Sequence, residues 1–467
     1  MFVIKKKLLY FLEKYFSGES IDYHKVIAII IPIFVDQAFI VFINFFNTAM
    51  ISSAGVEAVS AVNIVDSINM FLLNVFIAVA TGGTVIVAQY KGNGDEKMVS
   101  RSAAGAIAAT TFLAILIGGL IIIFHNAVLS FLFGKAEKAV FDNARIFLIG
   151  SCISYPAFAV FQASTSALRG VSDTKSSLML SMITNFSYFL FNLLFINFLH
   201  MGVLGMAISA ILSRSLGMIC SIIYIVRFGH TLNIHLVDIF KVDFSVQKRM
   251  FLIGLPFAAE QMFFNGGKLL TQTFIVEIGT LALTVNAICS SLSGFMQIGG
   301  GSMSLAVITV VGQCMGRHNV KDARKFVKSF IALGSISLVI GDLLVLPFFP
   351  LLIKMFSPPQ EIVGTIFFIM VAMGIASPLL WSISFICPSA LRAAGDANFT
   401  SIVSMLSMWL FRVILGYILG IVLGFGIIGV WFAMMLEWGI RGTVFVLRFK
   451  GDKWTAHNLI GEEQKSS

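Results

Sequence analysis

Two ionisable residues, Glu260 and Lys268, stand inside one apolar run, Met250 to Ile278. A charge in the middle of a membrane helix costs about 2.5–3.5 kcal/mol on insertion scales, so such residues are functional candidates by default. On a helix, that spacing is about two turns, roughly 12 Å of rise with the side chains about 80° apart. Both can therefore look into one cavity without touching. Asn265 and the Gly266-Gly267 pair between them allow polar contact and close helix approach. The competing reading is a stapled pair that only helps helices pack. Three more sets of residues are of the same kind. Asp36 lies in the first apolar run. Asp66 shares a polar stripe with Asn63, Asn69 and Asn74, and its spacing of three from Asn63 and Asn69 allows one cavity-facing side. Interhelical hydrogen bonding explains that stripe equally well. Arg214 and Arg412 also fall inside apolar runs, where buried cations need partners such as backbone carbonyls or Glu437. No HExxH, GxSxG, paired histidines or Walker A motif is present, so neither a membrane-embedded hydrolase nor direct use of ATP is supported.

These charges need elements that carry them through a bilayer, and the composition supplies them. The chain has 467 residues, of which 58% are hydrophobic and only 12% charged. A soluble domain has about 25% charged residues, so this is a polytopic all-α membrane protein. Its 46 Phe and 21 Met suit lipid-facing surfaces and adaptable apolar cavities. The five cysteines are scattered through apolar runs and form no zinc site or disulfide framework. Lys5-Lys6-Lys7 followed by Leu-Leu-Tyr-Phe-Leu lacks a small-residue cleavage site. It reads as an amphipathic helix on the cytoplasmic face.

Twelve spans are expected, at about 25–52, 58–90, 98–124, 143–168, 174–198, 201–227, 249–278, 281–315, 323–350, 361–391, 397–422 and 425–448. With an even number, both termini share a side, and that side holds 25 of the 32 Lys and Arg residues, Arg392 and Arg441 among them. The positive-inside rule makes it the cytoplasm. The expected organisation is a cytoplasmic segment 1–24, an N-lobe 25–227, a linker 228–248, a C-lobe 249–448 and a cytoplasmic tail 449–467, in the inner (plasma) membrane. The net charge of +9 then meets anionic lipid headgroups and needs no nucleic acid.

The second half repeats the first at an offset of about 224 residues. Pro32 answers Pro256, Gly55-Val-Glu-Ala answers Gly279-Thr-Leu-Ala, and Val87-Ala-Gln89 answers Val311-Gly-Gln313. Ser166-Ala-Leu-Arg169 answers Ser389-Ala-Leu-Arg392, and Gly202-Val-Leu-Gly205 answers Gly426-Ile-Ile-Gly429. With six spans in each half, this is a parallel repeat about an axis along the membrane normal, with a binding site expected between the halves.

These repeat elements, in this order, resemble the multidrug and toxic compound extrusion (MATE) family across nearly the whole chain, bacterial members especially. The resemblance implies two pseudo-symmetric six-helix lobes that export cationic or amphipathic compounds in exchange for H+ or Na+, with no other cofactor. The place where many members carry a first-span carboxylate holds Asn47, followed by Thr48. The polar positions of the fifth span fall near Tyr188 and Asn192, and no acid is there. In the sodium-coupled branch, acids lie where this chain has Phe264 and Trp381. Sodium needs several oxygen ligands and a proton needs one carboxylate, which favours a proton, with Glu260, Asp36 and Asp66 as coupling candidates. Cationic substrate and Lys268 would then compete for Glu260. Lys268, Asn265, Asn47, Asn192, Tyr188, Phe264 and Met296 are the candidate cavity residues, although Met and Phe in so apolar a chain are more often packing. Gly299-Gly-Gly301 is a candidate bend.

The leading expectation is a monomeric secondary-active multidrug antiporter working by alternating access. Its small-molecule substrate is amphipathic or cationic. A related alternative is a lipid-linked oligosaccharide flippase, whose cavity would carry several cations; Lys268, Arg214 and Arg412 are the ones available. A channel or receptor fits the repeat less well.

Overall fold

The computed structural model describes residues 13–52, 56–133, 138–229, 231–232, 234 and 244–457. The Lys5–Lys7 segment, most of the 228–248 linker and the tail beyond 457 lie outside the described residues, as does the Thr48 side chain. Regular structure among the described residues is helical throughout. In chain order the first half gives α1 (Tyr23–Ser52), α2 (Val56–Asn93), α3 (Glu96–Ile123), α4 (His125–Phe133), α5 (Lys138–Gly170), α6 (Thr174–Asn192) and α7 (Gly202–Arg227). The second gives α8 (Phe244–Ile278), α9 (Thr280–Met296), α10 (Ile298–Gly316), α11 (Val320–Val345) and α12 (Phe349–Phe356), then α13 (Gln360–Ala376), α14 (Ser382–Ala393), α15 (Ala397–Ser407) and α16 (Gly426–Lys450). Wider π-helical turns extend α6 over Leu193–Phe198, join α13 to α14 over Ser377–Trp381, and extend α15 over Met408–Ile414 and Ile418–Val422.

Eleven of the described helical stretches are long and apolar enough to cross a membrane. The expected seventh span, α8, has 35 residues and ample length, but Glu260, Gln261, Asn265, Lys268 and Gln272 lower its apolarity. The expected eighth span is not one helix. It breaks at Gln297 into α9 and α10, immediately ahead of the Gly299-Gly-Gly301 triplet expected to bend it. Two short helices escaped the sequence reading, α4 and α12, which start 224 residues apart.

The internal repeat is written into the backbone as well as the sequence. Left-handed φ angles fall at Gly94 and His318, Ser172 and Gly395, His200 and Gly424, and Gly202 and Gly426. Each pair is separated by 223 or 224 positions, the offset of the sequence repeat. Each of the four turns keeps glycine in at least one copy, because a side chain is strained at these angles. Helix starts are capped in the same two-fold way. Asp95 Oδ1 accepts from the Met98 amide (3.0 Å) and, 224 residues later, Asn319 Oδ1 accepts from the Asp322 amide (3.0 Å).

The chain forms two compact units, one of residues 39–258 and one of residues 1–38 with 259–467. The divisions fall inside α1 and α8, so the first part of each helix belongs to the unit that does not hold its second part. In the 39–258 unit, α2, α5 and α7 pack about Phe76, Leu148, Tyr155 and Met206. The early part of α8 lies hard against α2: a side chain added at Gly82 would meet the Met250 carbonyl at 2.9 Å and the Gly254 nitrogen at 3.1 Å. In the other unit, α10, α11, α14 and α16 pack together, and Gly300 gives room for the Trp381 ring. The chain before α1 is fastened there. Phe16 packs edge-on against Phe330, and the Ser20 amide donates to Asp322 Oδ2 at 2.6 Å. After α16, Arg324 donates to the Gly451 carbonyl (2.9 Å), and Trp454 is buried.

Candidate functional site

Glu260 lies on α8 within its apolar run and is nearly inaccessible. Its partner is not Lys268. Arg392 Nη1 donates to Glu260 Oε2 at 2.8 Å, and Ser401 Oγ donates to the same oxygen at 3.0 Å. The repeat turn explains how these groups meet. Arg392 belongs to the Ser389-Ala-Leu-Arg392 segment at the end of α14, and Ser401 sits on the first turns of α15, just past that turn. Arg392 Nη2 is also within reach of Ser389 Oγ at 3.3 Å. Arg392 is itself buried, and burial is possible because the carboxylate supplies its countercharge. The same turn is latched by Asp396, which accepts from Arg448 Nε at 2.8 Å. In the first repeat, Asp173 accepts from the Tyr224 hydroxyl at 3.0 Å. Glu260 stands 224 residues after Asp36, so these two sequence candidates are counterparts in the repeat. Asp36 is buried too, in the unit of residues 1–38 and 259–467.

A second charged cluster lies in the same unit. Glu437 on α16 is fully buried and receives Arg412 Nη2 at 2.9 Å and Arg441 Nη1 at 3.0 Å. The sequence expectation that Glu437 partners Arg412 agrees with this geometry. Arg441 is one helical turn from Glu437 and buried inside the protein. Its Nε also donates to Ser384 Oγ on α14 at 2.7 Å. Arg412 is carried by the π turn Met408–Ile414, and π turns of this kind concentrate at functional sites. The Phe264 ring of α8 lies among the cations: Lys268 Nζ is 5.0 Å, Arg412 Cζ 5.2 Å and Arg441 Cζ 6.0 Å from its centroid. Gly267 makes this approach possible, since a side chain there would reach Met408 at 2.7 Å. Lys268 and Arg412 open onto a cavity of about 230 Å³, together with Gln272, Asn286 and Ser290.

The remaining sequence candidates are spread out. In the 39–258 unit, Asn192 Nδ2 donates to Asn47 Oδ1 at 3.3 Å, and both side chains are buried. Tyr188 is one turn before Asn192 and half-buried against the core. Asp66 accepts from Asn69 Nδ2 at 3.3 Å. Asn69 also reaches Ser151 Oγ (3.2 Å) and accepts from the Tyr155 hydroxyl (2.6 Å), so the stripe does bond between helices. Arg214 donates to Ser154 Oγ at 2.7 Å and stacks over Phe158. In the other unit, Asn265 is buried, and its Nδ2 has no hydrogen-bond partner among the described residues. Met296 is buried at the α9–α10 break and does not line the Lys268–Arg412 cavity. Its position matches the packing reading of methionine.

Three buried charged residues, Arg392, Arg441 and Asp342, were not among the sequence candidates. Arg392 and Arg441 both lie near the ends of apolar runs, where basic residues normally mark a membrane face. For Arg441 a signal existed: Glu437 one turn earlier is the spacing of a helical ion pair. Asp342, on α11, is the third. It is buried beside Gly374, and neither carboxylate oxygen has a hydrogen-bond partner among the described residues.

Comparison with known proteins places this architecture. A family model described as MatE matches residues 32–195 and 256–418, one match in each half of the repeat. The chain is 27% identical over 430 residues to the uncharacterized transporter YisQ of Bacillus subtilis, covering 91% of this chain and 93% of that protein. It is 25% identical over 430 residues to the probable multidrug resistance protein NorM of Thermotoga maritima, covering 90% of each. An outward-facing multidrug resistance MATE family transporter of the MOP superfamily superposes with a TM-score of 0.85 at 17% identity, over 92% of this chain and 96% of that one. With both halves of the repeat matched, the chain belongs to the MatE family: it is a multi-pass membrane transporter of the multidrug type and not an enzyme.

Proposed function

We propose that this transporter is a secondary-active antiporter that exports amphipathic small molecules from the cytoplasm by alternating access, in exchange for protons. The observation that carries this reading is the Glu260–Arg392–Ser401 cluster. One buried carboxylate ties α8 to α14 and α15 in a chain that belongs to a family of transporters. A proton arriving at Glu260 removes the countercharge of Arg392, weakens the link between those helices and biases them toward a second arrangement. An ion can drive transport only through such a difference in affinity between two states. The buried acids are dispersed: Glu260 is held by Arg392 and Glu437 by two arginines, while Asp342 stands by itself. One carboxylate at a time suits a proton better than sodium, which wants several oxygens. A second reading, export of a lipid-linked compound, is favoured by the cations gathered at Phe264.

Dye transport in everted vesicles, where export from the cytoplasmic face appears as uptake into the lumen, tests the antiport under an imposed pH or sodium gradient. Uptake should follow the pH gradient and be lost in Glu260→Gln, with protein abundance unchanged. Normal gradient-driven uptake in that variant would rule out Glu260 as the coupling group, and loss in Asp342→Asn instead would transfer the role to α11. Drive by neither ion would end the antiporter reading.

A further inference from the structure

The geometry points to an anion-recognition site at the Lys268–Arg412 cavity, taking a carboxylate or phosphate carried by an amphipathic compound. It deepens the exporter reading by naming the charge of its cargo, and it runs against the expectation of cationic substrates. The first observation is the local charge. Lys268, Arg412 and Arg441 surround Phe264, and one carboxylate, Glu437, serves the two arginines. Among the described residues no carboxylate pairs with Lys268. The next acid on α8, Glu277, is exposed and does not line the cavity. Three cations against one anion leave two positive charges in a membrane-embedded region. Charges in such surroundings are retained only with partners.

The second observation is independent of the count. Arg412 Nε and Arg441 Nη2 are buried and bond to nothing among the described residues. Both are donors, and so is Asn265 Nδ2 on α8, which also has no partner among the described residues. Gln272 Oε1 already accepts from Asn286 Nδ2 at 3.1 Å, which leaves the Gln272 amide nitrogen free to donate into the cavity. Of these residues Arg412 lines the cavity, with Lys268, Gln272 and Asn286, while Arg441 and Asn265 lie behind that lining; the donors that face the cavity call for a ligand that accepts. An incoming cation would meet like charge, an element of rejection built into the site. The cavity volume of about 230 Å³ is below the roughly 300–1,000 Å³ of pockets that enclose whole drug-sized ligands. It fits a charged head, with the apolar remainder against Trp431 and beyond. Phe264 offers the three cations an electron-rich face.

The test uses full-length protein in detergent with two dyes of opposite charge, carboxyfluorescein and ethidium, read by fluorescence anisotropy. Wild type should bind carboxyfluorescein. Lys268→Gln, which breaks no ion pair, should weaken it roughly tenfold or more, the loss expected for a hydrogen bond to a charged group. Lys268→Glu should abolish it and strengthen ethidium binding. Unchanged carboxyfluorescein affinity in both variants, or ethidium binding alone in wild type, overturns the assignment. Competition with short-chain phosphatidylglycerol separates two sources of the anion: a site for lipid headgroups releases the dye, and a site for soluble anions retains it. Everted-vesicle uptake of both dyes is measured beside binding. Binding of carboxyfluorescein without gradient-driven movement of either dye would sink the exporter reading and leave the anion site standing. Gradient-driven uptake of ethidium, with no carboxyfluorescein binding, would do the reverse.

Discussion

Glu437 holds two buried guanidinium groups on one carboxylate, and that asymmetry makes it the most exposed point of failure among the residues of the C-terminal half. Glu437→Gln would leave Arg412 and Arg441 without their shared countercharge. Breaking a buried pair costs about 3–5 kcal/mol because an uncompensated charge remains. The variant should lose monodispersity on heating well before wild type in size-exclusion profiles, whereas Lys268→Gln should not. At this scale the sequence was readable in part. The pairing of Arg412 with Glu437 followed from the rule that intramembrane charges find partners. Glu260 and Lys268 were expected to look into one cavity without touching, but Glu260 does not line the cavity onto which Lys268 opens. Arg392 reached Glu260 from α14, 132 residues away.

The elements show why the helices can carry these charges to their places. Gly267 lets the π turn Met408–Ile414 close on α8, and Gly82 lets α8 close on α2. At Gly82 the obstacle to a side chain is backbone, which cannot swing aside. Gly82→Ala should therefore cost about 1–3 kcal/mol, as overpacking does, visible as a lower melting temperature of the purified protein. The span limits in the sequence were close to the observed helices because long apolar runs in a bilayer have one way to satisfy their backbone. The π turns were not legible, and the glycine triplet marked only the neighbourhood of the break at Gln297. They depend on what packs alongside, such as Gly341 against the Met296 carbonyl, and hydropathy carries no record of that. The turns that answer one another across the repeat were legible only as weak motif matches until their φ angles paired.

At the scale of the molecule, membership of the MatE family fixes a multi-pass transporter, and the charge asymmetry of the loops predicts its orientation. A green fluorescent protein fused after Ser467 should fluoresce, and alkaline phosphatase at the same point should be inactive. The opposite pair of results would invert the topology. The sequence halves divide near the 228–248 linker, while the compact units divide inside α1 and α8. A repeat is a record of sequence correspondence, whereas compactness follows packing. The Gly82–Gly254 contact commits the start of α8 to α2.

Composition, run length and the 224-residue offset determined by themselves that this chain is an all-helical membrane protein with two related halves, and motif order pointed to its family. Those properties are sums over many residues, so single misjudgements do not disturb them. Tertiary structure alone decided which charges meet. A countercharge acts over a few ångströms in space, and sequence distance does not report spatial distance between helices. Thus Glu260 went to Arg392, Arg441 turned inward to Glu437, and Lys268 was left facing a cavity with Arg412. The sequence marked Lys268 as costly; its neighbours across the fold made it part of a positively charged site.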